Sequence, residues 1–193
     1  MTDAATTTDR ANEPLVLRQE ADGVVTLTLN RPKQFNALSE AMLEALIAEL
    51  EAVAADPQAR VVILAGAGKA FCAGHDLKEM RQTPEQGYYE RLFRLCGRMM
   101  QTISRIPQPV IARVHGIATA AGCQLVAQCD LAVAAEEARF ATSGINAGLF
   151  CATPAVPLSR NVPRKRAFEM LVTGDFVDAA TAADWGLVNQ VVP

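Results

Sequence analysis

The chain has 193 residues, 50% of them hydrophobic and 20% charged, a composition that suits one globular domain with ample core material. Its formal net charge of -3 has both signs interspersed, which excludes a general nucleic-acid surface, because phosphate binding needs clustered Lys and Arg. No apolar run is long and charge-free enough to cross a bilayer, so no membrane partner is expected.

Residues 1–14 carry Asp3, Asp9 and Glu13 around no apolar centre, unlike a secretory or mitochondrial leader, and are expected to form a disordered tail. Residues 15–18 and 24–29 read as strands joined in a hairpin, since Asp22-Gly23 is a strong turn signal. Ser39 is a candidate N-cap for a helix in which Leu43, Leu46, Ile47, Leu50 and Val53 recur at helical spacing until Asp56-Pro57. Val61-Val62-Ile63-Leu64-Ala65 is apolar without alternation, the pattern of a strand covered on both faces, so helices should flank the sheet. A helix over 84–104, a strand over 110–114, a Gly/Ala-rich turn into a helix over 121–127 and a strand over 131–134 continue the α/β alternation. Helices over 164–172 and 178–184, stopped by Gly174 and Gly186, precede a strand over 187–192. No repeat or linker divides residues 15–193, which predicts a single domain.

Two segments carry the chemistry. Phe71-Cys72-Ala73-Gly74-His75-Asp76-Leu77-Lys78 and His115-Gly116-Ile117-Ala118-Thr119-Ala120-Ala121-Gly122-Cys123 each lead from a strand into a helix through small residues. Each therefore presents free backbone N–H groups where the helix dipole also favours negative charge. One such segment is commonly a packing device. The pair, with these residues, resembles the paired signatures of the enoyl-CoA hydratase/isomerase, or crotonase, family. Asn30-Arg31-Pro32-Lys33-Gln34-Phe35-Asn36-Ala37-Leu38, Cys129-Asp130-Leu131-Ala132-Val133-Ala134, Leu171-Val172-Thr173-Gly174-Asp175 and Gly186-Leu187-Val188 extend the resemblance over residues 15–193.

The resemblance implies an α/β crotonase (ClpP-like) spiral of ββα units with flanking helices. It also implies a site for a coenzyme A thioester, with coenzyme A present as part of an acyl-CoA or enoyl-CoA substrate and no cofactor bound covalently. His75 and Ala121 are then the backbone N–H donors to the thioester oxygen, each such donor being worth about 100- to 1000-fold where charge gathers on that oxygen. Coenzyme A contacts map to Lys33, Phe35, Ala37, Ala73, Asp76, Leu77 and Lys78. Lys33 reads equally well as an exposed surface lysine, while Lys78 directly follows the anchoring motif.

Hydratases of the family use two glutamates for acid–base work, and the matching positions here are Gln124 and Gly144, neither of which ionises. A branch of the family shares this loss. Glu136 and Glu137 read as a solvated turn rather than as substitutes. Cys151 is a speculative nucleophile toward a thioester, set against its ordinary reading as a small buried hydrophobe, and Ser143, Thr142 and Asn146 are weaker candidates of the same kind. Three functions follow: an acyl-CoA-binding enzyme that retains enolate stabilisation, a thioesterase-like enzyme, or a noncatalytic acyl-CoA-binding or regulatory protein. The five cysteines are odd in number and lack a CxxC pair, so neither a disulfide framework nor a metal site is expected, in keeping with a reducing, cytoplasmic compartment. The family's chains usually continue into helices that cover the acyl pocket and build a trimer. That part is read as absent after Pro193, with a homotrimer or hexamer expected where it is present.

Overall fold

In the computed structural model, which describes residues 13–193, the chain opens with the antiparallel pair β1 (Val16–Ala21) and β2 (Val24–Leu29), Val16 lying opposite Leu29. The expected tail thus lies outside the described residues except for Glu13 and Pro14. Asp22 (φ 51°) and Gly23 (φ 79°) are both left-handed, as a tight two-residue hairpin turn requires. The first strand runs three residues beyond the sequence expectation, because backbone pairing continues to the turn itself.

Helix α1 (Glu40–Ala54) starts where the Ser39 hydroxyl accepts the Met42 N–H at 3.2 Å, and it buries Leu43, Leu46, Ile47, Leu50 and Val53 as their spacing predicts. Strand β3 (Val61–Gly66) pairs parallel with β2, and after α2 (Leu77–Gln82) and α3 (Gln86–Arg105) strand β4 (Val110–Val114) pairs parallel with β3. The chain then passes through β5 (Ile117–Thr119) and α4 (Ala121–Gln128), and through β6 (Leu131–Ala135) and β7 (Arg139–Ala141). It ends with α5 (Ala152–Asn161), α6 (Arg164–Thr173), β8 (Val177–Asp178), α7 (Ala179–Asp184) and β9 (Gln190–Val192).

One six-stranded sheet has the order β1-β2-β3-β4-β6-β9, and a second sheet of three strands has the order β5-β7-β8. Twice the chain leaves the large sheet, adds a short strand to the small one and then turns into a helix, in β4-β5-α4 and in β6-β7 followed by α5. These are the expected ββα units. The small sheet itself is a correction to the residue-by-residue reading, which took the stretch after Val114 as a turn. Strands of two or three residues are too short to display a period, and β5 hides among Gly and Ala. Helix α5, for which the sequence analysis has no counterpart, forms despite containing Pro154 and Pro157. Pro154 falls in the first turn, where a missing N–H costs no hydrogen bond.

One continuous core joins the α1 and α3 faces to both sheets. Cys72, Cys96, Cys123 and Cys151 are buried, Cys129 is half-buried, and all five are free thiols. Burial pushes the Cys72, Cys96 and Cys123 thiols up to about 12.

Candidate active site

Three backbone segments lie side by side. Ala73 N–H donates to the Phe35 carbonyl, Leu38 N–H to the Gly74 carbonyl and Asp76 N–H to the Leu38 carbonyl. On the other side, Cys72 N–H donates to the Ile117 carbonyl and Thr119 N–H to the Cys72 carbonyl. Because Leu38 bonds to the residues flanking His75, the His75 N–H points away from it, toward the third segment. That third segment breaks off just there: Ala120 sends its N–H to the Ala141 carbonyl at 2.9 Å, and Ala121 begins α4. Neither the His75 N–H nor the Ala121 N–H takes part in the backbone hydrogen bonds of the turns and caps, and no side chain caps α4.

Small residues make this approach achievable. A methyl group on Gly74 (φ 89°) would sit 2.9 Å from Ala120 Cβ and 3.1 Å from the Ala121 nitrogen, and one on Gly122 would overlap the Cys72 carbonyl oxygen. Ala120 adopts φ 50° and ψ -120°, a conformation that disfavours a residue with a Cβ and stores backbone strain of about 1–3 kcal/mol at the entry to α4. Asn36 pins the first segment: fully buried at φ 55°, it accepts the Arg31 N–H and donates to the Ala67 and Ala70 carbonyls. The sequence reading gave Asn36 no role, although a buried Asn beside tight turns is a recognisable pin.

Both N–H groups belong to residues lining a cavity of about 300 Å³. Met80, Phe93, Leu149 and Phe150 are among its apolar lining, and among the described residues the polar side chains on the wall are His75, Ser143, Thr153 and the thiol of Cys151. Met80 and Phe93 were not anticipated as wall residues, because their helical spacing signals only a core-facing stripe. The His75 ring meets Phe93 edge-on at 5.4 Å, and both of its nitrogens are buried without a hydrogen-bond partner. Burial pushes the imidazole down to about 4, with the Leu38 backbone opposing it. The ring is therefore neutral at physiological pH.

Of the other expected residues, Ala73, Leu77, Gly144 and Cys151 also line the cavity, with Leu77 exposed at its edge. Phe35 is exposed, Ala37 is buried beside it, and Lys33 and Lys78 stand in solvent. Asp76 is occupied structurally: it caps α2 by accepting the Lys78 and Glu79 N–H groups and pairs with Arg31 at 3.0 Å. Gln124 is buried on α4 with its Oε1 unpartnered and is not part of the cavity wall. Burial also pushes the Cys151 thiol up, against a hydrogen bond from Gly144. Thr142 is committed to the Met170 carbonyl and Asn146 to the Gly174 carbonyl, while Glu136 and Glu137 form an exposed turn. Among the described residues no cluster of His, Cys, Asp and Glu could hold a metal ion, and no helix is long and apolar enough to cross a membrane.

The family model described as enoyl-CoA hydratase/isomerase matches residues 19–193. The chain belongs to the enoyl-CoA hydratase/isomerase family. It is 48% identical over 180 residues to enoyl-CoA hydratase domain-containing protein 3, mitochondrial, of Xenopus laevis, covering 93% of this chain and 61% of that protein. That name places the frog protein in mitochondria, whereas the sequence reading of this chain favours the cytoplasm. Among solved structures, an enoyl-CoA hydratase of Mycobacterium smegmatis superposes with a TM-score of 0.92 at 67% identity, over 93% of this chain and 70% of that one. Human enoyl-CoA hydratase domain-containing protein 3 superposes at 0.90 with 45% identity, over 93% and 71%. The expected crotonase fold and the expected likeness to enoyl-CoA hydratase domain-containing protein 3 are thereby both found. The chain spans about three fifths of the length of these curated relatives.

Proposed function

We propose that this enoyl-CoA hydratase/isomerase family member binds an acyl-CoA thioester, holds its carbonyl oxygen between the His75 and Ala121 N–H groups, and stabilises the enolate without a carboxylate acid–base pair. The reading rests on one observation: two unpaired backbone donors, converging from separate segments, at the wall of an apolar cavity. Preorganised donors in a dry site gain strength as charge moves onto the oxygen. Proton transfer is what the site lacks, since Gln124 and Gly144 cannot ionise and the neutral His75 ring has both nitrogens packed away. Coenzyme A contacts are assigned to the exposed Lys33, Phe35, Leu77 and Lys78, with Ala37 and Ala73 supplying backbone and Asp76 holding Arg31 and the start of α2.

A noncatalytic acyl-CoA binder is the second reading, favoured by the closure around Gly144: an added Cβ would lie 2.5 Å from the Leu149 carbonyl oxygen and 2.7 Å from Cys151 Sγ. A Cys151 thioesterase is disfavoured by the raised thiol pKa.

Calorimetric titration of the purified chain with crotonyl-CoA, combined with loss of the enoyl chromophore, tests the proposal. Binding is expected, with hydration slower than that of a two-glutamate hydratase by at least the ~100-fold that one acid–base group supplies. Lys78→Ala should weaken binding. Hydration at the rate of a two-glutamate enzyme, abolished by Gln124→Ala, would overturn the claim that the acid–base pair is missing.

A further inference from the structure

The His75 N–H is only as well aimed as the loop beside it. Leu38 meets His75 in a single backbone bridge rather than a ladder: its N–H donates to the Gly74 carbonyl at 2.8 Å, and its carbonyl accepts the Asp76 N–H at 3.1 Å. Phe35 (φ 50°) and Asn36 (φ 55°), just before it, are both left-handed, a conformation that residues with a Cβ hold at a cost. On the other side, Gly74 (φ 89°) leaves the peptide that carries the donor without a restraining side chain. A short bridge between a strained loop and a glycine needs a further tie to keep one geometry.

Arg31 supplies that tie. Its Nη1 donates to the Ala37 carbonyl at 2.9 Å and its Nη2 to Asp76 Oδ2 at 3.0 Å. One planar group thus spans both segments, from the residue before Leu38 to the residue after His75. The pair is largely sheltered from water, the Arg31 side chain being 20% exposed and that of Asp76 15%. Asp76 caps α2 through its other oxygen, Oδ1, which accepts the Lys78 and Glu79 N–H groups. Loss of the guanidinium therefore leaves the cap in place and releases the bridge. A lysine keeps the charge without the rigid two-pronged geometry.

We infer that Arg31 is a positioning residue for the carbonyl site: by joining Ala37 to Asp76 it fixes the direction of the His75 N–H, although it does not itself line the cavity. Hydrogen bonds weaken steeply as distance and angle depart from the ideal, so a released bridge costs the donor much of its value. This inference rests on the proposal that the His75 and Ala121 N–H groups hold a thioester carbonyl.

Calorimetric titration of the purified chain with butyryl-CoA and with the thioether S-butyl-CoA, in which a methylene replaces the carbonyl, tests it. Only the thioester offers the donors an oxygen, so the ratio of the two affinities reads the donors and is blind to the rest of the ligand. The unaltered chain is expected to favour the thioester by about three- to tenfold or more, the worth of one net hydrogen bond. Arg31→Ala should lower that ratio by about three- to tenfold, the thioester weakening while the thioether moves little, with thermal melts verifying that the variant folds. Arg31→Lys should lower it in the same direction, and it carries the test alone if Arg31→Ala does not fold. A ratio unchanged in either folded variant overturns the inference, and so does equal weakening of both ligands, which is what a merely structural role would produce. An unaltered chain that binds the thioester no better than the thioether removes the carbonyl reading itself, and the inference falls with it.

Discussion

Gly144 stands where the family's second glutamate falls, and the Leu149 carbonyl and Cys151 Sγ already occupy the space its Cβ would need. Gly144→Glu, alone or with Gln124→Glu, is therefore expected to lower thermal stability and to leave crotonyl-CoA hydration near that of the unaltered chain, measured by thermal melts and by the enoyl chromophore. A double variant that hydrates like a two-glutamate enzyme would show that the 149–151 segment yields easily. His75 makes a separate prediction. It stays neutral in the folded chain down to about pH 4, whereas an unfolded histidine titrates near 6.5. Between those values the unfolded state binds the extra proton, so stability is complete above about pH 6.5, falls as the pH drops toward 4, and then flattens. Urea melts across this range should show a shallower pH dependence for His75→Leu than for the unaltered chain. An identical slope would place the burial of the imidazole in doubt.

Helix starts carry the site at the next scale. Ser39→Ala removes the Met42 cap of α1 and should cost about 0.5–2 kcal/mol in a denaturant melt, without change in ligand affinity. Gly122→Ala at the start of α4 should do more, about 1–3 kcal/mol or outright failure to fold, because the added methyl overlaps the Cys72 carbonyl and forces the two donor segments apart. Elements of this kind were legible in the chain wherever a period or a cap was long enough to read. Leu43, Leu46, Ile47, Leu50 and Val53 announce α1, and the unbroken apolar run from Val61 announces a covered strand. The hidden parts were those whose partners are distant in sequence: Ile117 and Phe140 become strand residues only by pairing across the small sheet. Met80 and Phe93 on the cavity wall were illegible for the same reason, since nothing local in either indicates a wall, whereas Ala73, Ser143, Gly144 and Cys151 were legible through the family resemblance.

At the scale of the molecule, the two sheets are not separable units, because β4 passes directly to β5 and β6 to β7, and a single core spans both. Denaturation followed by near- and far-ultraviolet circular dichroism should give coincident transitions, and two resolved steps would contradict the shared core. The five unbridged thiols spread through this core have a practical consequence. They mark four regions: Cys72 in the first donor segment, Cys96 on α3, Cys123 and Cys129 at opposite ends of α4, and Cys151 on the cavity wall. Since alkylation needs an exposed thiolate, the order in which a slow alkylating reagent consumes them under native conditions records which layer opens first. The molecule thus carries its own set of clocks, and the one at Cys151 is expected to slow when the cavity is filled.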